Sequence, residues 1–112
     1  MKSKLFPIVV SITISIFSCG TDLPEGTPAC LDDHIQYFKK NSTCDHPKVN
    51  EYSFQNKTVY VFVQDCCCDQ SSDVLDYECN KIGFLGGFIG NTVINGEVFS
   101  NATLIRTIWE KK

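Results

Sequence analysis

The chain has 112 residues, with 10 Lys and Arg against 13 Asp and Glu for a formal charge of −3 at pH 7. Setting aside Lys2 and Lys4, which belong to an N-terminal leader, leaves 8 basic side chains against 13 acidic ones, a charge of −5. That balance excludes the basic surface that nucleic acid or anionic headgroups demand, and the length fits one domain with little surplus core stability.

The leader has three parts: Lys2 and Lys4, an apolar stretch from Leu5 to Phe17, then small residues around Cys19. This is the layout of an export signal. The stretch is too short for the roughly 30 Å of a bilayer core, and Pro7 weakens it as a helix. No second apolar run follows, so the sequence offers no membrane-spanning segment. Ile16-Phe17-Ser18-Cys19 resembles the lipobox of bacterial lipoproteins, in which a small residue lets the peptidase approach and the cysteine thiol takes a diacylglyceryl group. The resemblance implies that residues 1–18 are removed and that Cys19 becomes a lipidated N-terminus. Two or three acyl chains then anchor the chain stably, where one gives only marginal binding. The membrane, through that lipid, is the first expected partner, and the bacterial envelope is the expected location. Residues 19–27 carry Pro24, two glycines and charges without apolar periodicity, as expected of a tether.

Residues 28–112 are expected to form a single domain. Thr27 is placed to cap a helix with Pro28 at its first position, Asp32 and Asp33 fall in its early turns, and Lys39 and Lys40 in its last. Leu31, Ile35 and Phe38 supply its apolar stripe. The spacing predicts a helix from Thr27 to Lys40. From Val49 the period changes to two, with Tyr52 and Phe54 alternating with polar neighbours, a turn at Gln55-Asn56-Lys57 and a β-branched and aromatic run from Thr58 to Val63. This pattern predicts a hairpin whose second strand is buried. Two more strands are expected at Val74–Tyr77 and Lys81–Leu85, and a third hairpin, Thr92–Ile94 with Glu97–Phe99, turns on Asn95-Gly96. The last segment fits either period, since Leu104, Ile105, Ile108 and Trp109 are spaced helically while Thr103, Ile105, Thr107 and Trp109 alternate. Its β-branched content favours a strand. The expected class is α+β: an antiparallel sheet of four to six strands with one N-terminal helix packed on it, stapled by disulfides.

The staples follow from cysteine usage. Cys30, Cys44, Cys66, Cys67, Cys68 and Cys79 are an even number in a short exported chain, which points to disulfides. Adjacent Cα atoms are about 3.8 Å apart, below the roughly 4.4 Å at which disulfides begin, so bonds within Cys66-Cys67-Cys68 would be strained. Each member of the triplet is therefore expected to pair with one of Cys30, Cys44 and Cys79. The alternative use of the triplet is a thiolate cluster for a soft metal such as Cu(I) or Zn, with His34 or His46 as a further ligand. No paired C-x-x-C spacing for a redox dithiol is present.

Other constellations carry less. Cys30 and His34 stand one helical turn apart, but a bonded cysteine is no nucleophile. Asp69, Asp73, Asp76 and Glu78 lack the register of a calcium loop and are expected to be solvated turn residues. The glycines from Gly83 to Gly96 match no phosphate-binding fingerprint; they are expected to form tight turns with apolar side chains tucked inward, the alternative being a partly exposed apolar binding loop. Acceptor sites at Asn41, Asn56 and Asn101 would suit a glycosylated secreted protein, against which the Ser-Cys-Gly end of the leader argues.

A cysteine-started helix at Cys30, the strand Thr58-Val59-Tyr60-Val61-Phe62, the Cys67-Cys68-Asp69 step, Val74-Leu75-Asp76, Cys79 followed by Gly86-Gly87 and Gly90, and a terminal Ile108-Trp109 together form an ordered pattern. Over most of residues 28–110 it resembles a group of small lipoproteins of the Bacteroidota classed only as a domain of unknown function. The third consecutive cysteine and Cys44 depart from that group. The resemblance implies a location and a fold, with no activity, cofactor or substrate attached. With no catalytic set in view, the expected role is a non-enzymatic binding or interaction module whose partner is an envelope protein or a small ligand. The lipid anchor is directly testable: Cys19→Ser is expected to abolish incorporation of radiolabelled fatty acid and to release the protein from membranes. Unchanged labelling and retention would show that Cys19 carries no lipid.

Overall fold

The computed structural model describes residues 23–65 and 70–111. The leader, Cys19 and the triplet Cys66, Cys67 and Cys68 lie outside them. In chain order the elements are helix α1 (Cys30–Asn41), strands β1 (Lys48–Phe54), β2 (Lys57–Val63), β3 (Ser71–Asp76), β4 (Lys81–Gly86), β5 (Val93–Ile94) and β6 (Glu97–Val98), a 3₁₀ turn at Phe99–Asn101, and β7 (Thr103–Glu110). No described helix is long and apolar enough to cross a membrane.

The expected helix forms, starting three residues late. Thr27 is used in a turn, its N–H donating to Pro24 O at 3.2 Å, so the chain becomes helical only after Ala29, which offers no side-chain cap. The Thr27 hydroxyl is instead buried without a hydrogen-bond partner among the described residues. Asp32 and Asp33 occupy the first turn and Lys39 and Lys40 the last, each sign set against the opposite end of the helix dipole.

β1 and β2 form the expected hairpin through two residues, Gln55 and Asn56, both at positive φ (54° and 61°), which matches the twist of the strands they join. Lys57 already pairs with Phe54 and belongs to the strand. β3 begins at Ser71, three residues before the expected start, because its polar Ser71 to Asp73 stretch finds partners on β4. The Asn95-Gly96 turn joins β5 to β6, and the ambiguous last segment is strand β7.

The main sheet runs β4-β3-β2-β1-β7, with each neighbouring pair antiparallel. β4 and β7 are thus opposite edges, and the chain between them must cross the sheet. It does so as β5, β6 and the 3₁₀ turn, a two-stranded ladder of its own laid on one face; the third hairpin is a cover and no part of the main sheet. Ile94 and Phe99 from this cover pack on Phe54, Val59, Val61 and Val74. At Gly83 the approach is close enough that a Cβ would sit 2.8 Å from the Ile94 side chain. On the other face α1 lays Leu31 and Ile35, both fully buried, against Val49, Tyr60, Phe62, Leu75 and Ile108.

Cys30, opening α1, is disulfide-bonded to Cys79 in the β3–β4 turn, with Cα atoms 6.2 Å apart and a separation of 49 positions in sequence. This overturns the expectation that each of Cys30, Cys44 and Cys79 pairs with a member of the triplet. The triplet's adjacency argues against bonds inside it, and it has no bearing on bonds among the other three. The helix start and the β3–β4 turn meet at one end of the sheet, where Cys79 takes φ 68°. Cys44 is also buried and disulfide-bonded, and its partner lies outside the described residues.

Beside the disulfide, Tyr60 is 1 % exposed, and burial, then the neighbouring Glu51 and Tyr77, push its pKa from 10.0 up to about 12, against a lowering influence of Arg106. Two expectations follow. The double variant Cys30→Ala/Cys79→Ala is expected to lose about 2–4 kcal/mol in urea unfolding, the usual worth of a bridge closing a loop of this length. Because folding favours the neutral phenol, the Tyr60 contribution is complete below pH 10 and is lost as pH climbs through about 12. Unfolding midpoints of the wild type should fall across that interval more steeply than those of Tyr60→Phe.

Candidate functional site

α1 carries two stripes. Leu31, Ile35 and Phe38 face the sheet, and the adjoining stripe of His34, Tyr37 and Asn41 looks toward β3. Phe38 is drawn to the β1–β7 side of the sheet by edge-on ring contacts with Phe62 (5.2 Å) and Trp109 (6.1 Å). On the helix-facing side of β3, by contrast, Ser71 and Asp73 stand where rings would be needed to reach the helix. A cleft of about 230 Å³ opens between them.

Its floor is apolar: Phe62, Leu75 and the flank of Phe38. Period-two alternation brings polar groups to the same face, Gln64 beyond Phe62 on β2, and Ser71 and Asp73 before Leu75 on β3. Asp73 lies directly across the ladder from Phe62. Its carboxylate pairs with Lys81 Nζ at 3.1 Å, an exposed pair that adds little stability yet offsets the charge. Ser42, just past the helix, donates to Gln64 Oε1 at 3.0 Å and accepts from the Cys44 N–H at 3.2 Å, which ties the helix end to β2. Asn41, also in the lining, donates from Nδ2 to Tyr37 O at 2.8 Å, which leaves its amide oxygen as an acceptor. The His34 ring meets Phe62 edge-on at 6.4 Å. Among the described residues, the His34 ring nitrogens, Gln64 Nε2 and the Ser71 hydroxyl have no hydrogen-bond partner. An apolar floor under a few convergent polar groups is the form of a small-ligand site.

Of the residues that the sequence singled out as candidate ligands or acceptors, the structure brings His34, Asn41 and Asp73 to this cleft. Cys30 and Cys79 serve as a staple, and His46 is an exposed loop residue. No group of three His, Cys, Asp or Glu able to hold a metal occurs among the described residues. Asp76 is committed to the β3–β4 turn, where its Oδ1 accepts the N–H groups of Glu78 and Asn80, each at 2.9 Å. The expectation of inward-tucked side chains fails at one point of the glycine-rich stretch. Gly90 N–H closes a turn onto Gly87 O, so Phe88 and Ile89 are its two central residues and point outward, 85 % and 74 % exposed. Tyr37, Ser42, Gln64 and Ser71 escaped sequence reasoning, which read Asn41 only as a glycan acceptor. The available signal was the run of polar residues at core-facing positions of β2 and β3.

The structure is a small α+β domain with an open cleft between its helix and its sheet. The chain belongs to the family described as a domain of unknown function, DUF6970, whose profile matches residues 33–111. No match to the chain was found among curated proteins or solved structures.

Proposed function

We propose that this is a non-enzymatic binding protein of the bacterial cell envelope, held to the membrane by lipid on Cys19 and taking a small ligand in the cleft between α1, β2 and β3. The leader and lipobox-like residues support the anchor; of the expected tether, residues 23–27 are docked on the domain, with Leu23 against the core and Glu25 and Gly26 hydrogen-bonded to Arg106 and Tyr77, which leaves residues 19–22 to serve as the link. The observation that carries the binding role is the convergence of His34, Gln64 and Ser71, polar groups without partners among the described residues, over the Phe62 and Leu75 floor. Catalysis would need a nucleophile bonded to a base, and among the described residues His34 has the Phe62 ring beside it and neither acid nor nucleophile in hydrogen-bond contact. The cleft is smaller than drug-sized pockets of about 300–1,000 Å³, so the ligand is small.

A second reading, metal binding by those of Cys66, Cys67 and Cys68 that the Cys44 disulfide leaves as thiols, draws support from the Cys30–Cys79 bond. That bond removes two of the three partners the triplet would need for staples. Thiol titration of native protein before and after chelation separates the readings: thiols that react only after chelation support the metal.

The binding role is tested by screening small soluble compounds against the ¹⁵N-labelled full chain by NMR. Binders are expected to shift amides of Tyr37, Asn41, Gln64 and Ser71. Tyr37→Ala, at an exposed position on the lip, should weaken them about tenfold, or roughly 1.4 kcal/mol, without lowering the melting temperature. A screen in which no compound moves these amides would refute the role.

A further inference from the structure

We infer that the ligand of this cleft is a neutral polyhydroxylated ring, of the chemical class of a single sugar residue; the inference rests on reading the cleft as a binding site. Three features of the lining select that class, beginning with charge. Among the described residues that line the cleft Asp73 is the only carboxylate, and Lys81 Nζ lies 3.1 Å from it. A cation entering the cleft would compete with Lys81 for that carboxylate, and an anion would find no Lys or Arg in the lining. Either would shed water without gaining a full opposite charge, which is costly.

Hydrogen-bonding sense is the second feature. The groups facing the space mix donors and acceptors: Gln64 Nε2 can only donate, Asn41 Oδ1 can only accept, and the Ser71 hydroxyl and His34 ring can do both. An ammonium offers donors alone and a carboxylate acceptors alone, so each would leave part of this set unmatched. A ring of hydroxyls, each both donor and acceptor, matches all of it.

Shape is the third. A volume of about 230 Å³ holds on the order of eight waters at roughly 30 Å³ each, the scale of one sugar ring. A pyranose carries C–H groups on its faces and hydroxyls around its rim. The cleft mirrors this arrangement, with Phe62, Phe38 and Leu75 beneath and the polar groups at the sides. The aromatic floor then gains dispersion contact from the C–H face, while the rim hydroxyls keep their hydrogen bonds.

The experiment titrates the ¹⁵N-labelled full chain with methyl glycosides of glucose, galactose, mannose and N-acetylglucosamine, and in parallel arms with tetramethylammonium and with acetate. At least one glycoside is expected to give saturable shifts at Gln64 and Ser71. Its affinity should fall by roughly fivefold in Ser71→Ala, the loss of one neutral hydrogen bond, with melting temperature unchanged, and further in Gln64→Leu, which also removes the Ser42 bond that holds the helix end. If the variants melt early, saturation transfer from the wild-type aromatic protons to the glycoside C–H protons decides instead, and its absence overturns the proposal. Saturation of the cleft by tetramethylammonium or acetate and by no glycoside would overturn the sugar class while leaving the binding site standing. Silence in every arm would overturn the sugar class, and only the wider compound screen would then bear on the cleft itself. Glycoside shifts confined to another part of the chain would also overturn the proposal.

Discussion

Val59, Tyr60, Val61 and Phe62 are consecutive and all buried, which a strand achieves only when both of its faces are covered. β2 is the middle strand of five, and these four side chains carry both covering layers. Tyr60 and Phe62 receive α1, while Val59 and Val61 receive the β5–β6 ladder and the 3₁₀ turn. A domain this small has little core to spare. Placing one strand at the centre of both cores lets each face be filled by a cover of modest size, a 12-residue helix on one side and a short hairpin on the other.

The same economy creates the cleft. One helix cannot roof five strands, and α1 is committed at its start by the Cys30–Cys79 bond and along its length by Leu31, Ile35 and Phe38. Phe38, between Phe62 and Trp109, holds the second half of the helix on the β1–β7 side. What stays unroofed is β3, and β3 there presents Ser71 and Asp73, side chains that water or a polar ligand can satisfy. The Ser42 to Gln64 hydrogen bond closes the far end and fixes the width of the opening. The polar lining is therefore the counterpart of where the helix is bolted.

The elements that could be read in the sequence are those specified by local patterns. Thr58 to Val63 declared a strand by composition, Asn95-Gly96 declared a turn by its tolerance of positive φ, and Leu31, Ile35 and Phe38 declared a helix face by spacing. The disulfide pairing was not readable because it depends on which loop ends meet after the sheet has formed; Cys30 and Cys79 are 49 residues apart in sequence. Thr27 looked like a cap because cap preference is local, but the helix starts three residues later, after Ala29, beyond the reach of its hydroxyl as a cap. The cleft was hidden for a related reason. Its polar groups come from α1, the residue after it, β2 and β3, and each on its own resembles an ordinary surface residue.

The chain enters the domain at the end of the sheet that lies opposite the cleft mouth. Arg106, on the edge strand β7, donates to Glu51 Oε1 at 2.8 Å and to Glu25 O at 3.2 Å, and the Tyr77 hydroxyl donates to Gly26 O at 3.2 Å. These bonds hold residues 25 and 26 at the end of the sheet where Cys30 meets Cys79. Asn41, Ser42 and Gln64 stand at the other end of α1, whose 12 residues span about 18 Å at 1.5 Å per residue. A lipid on Cys19, as proposed, would pull on the first end and leave the cleft mouth at the second, directed away from the bilayer. In that arrangement a soluble ligand reaches the cleft without crossing the headgroup layer.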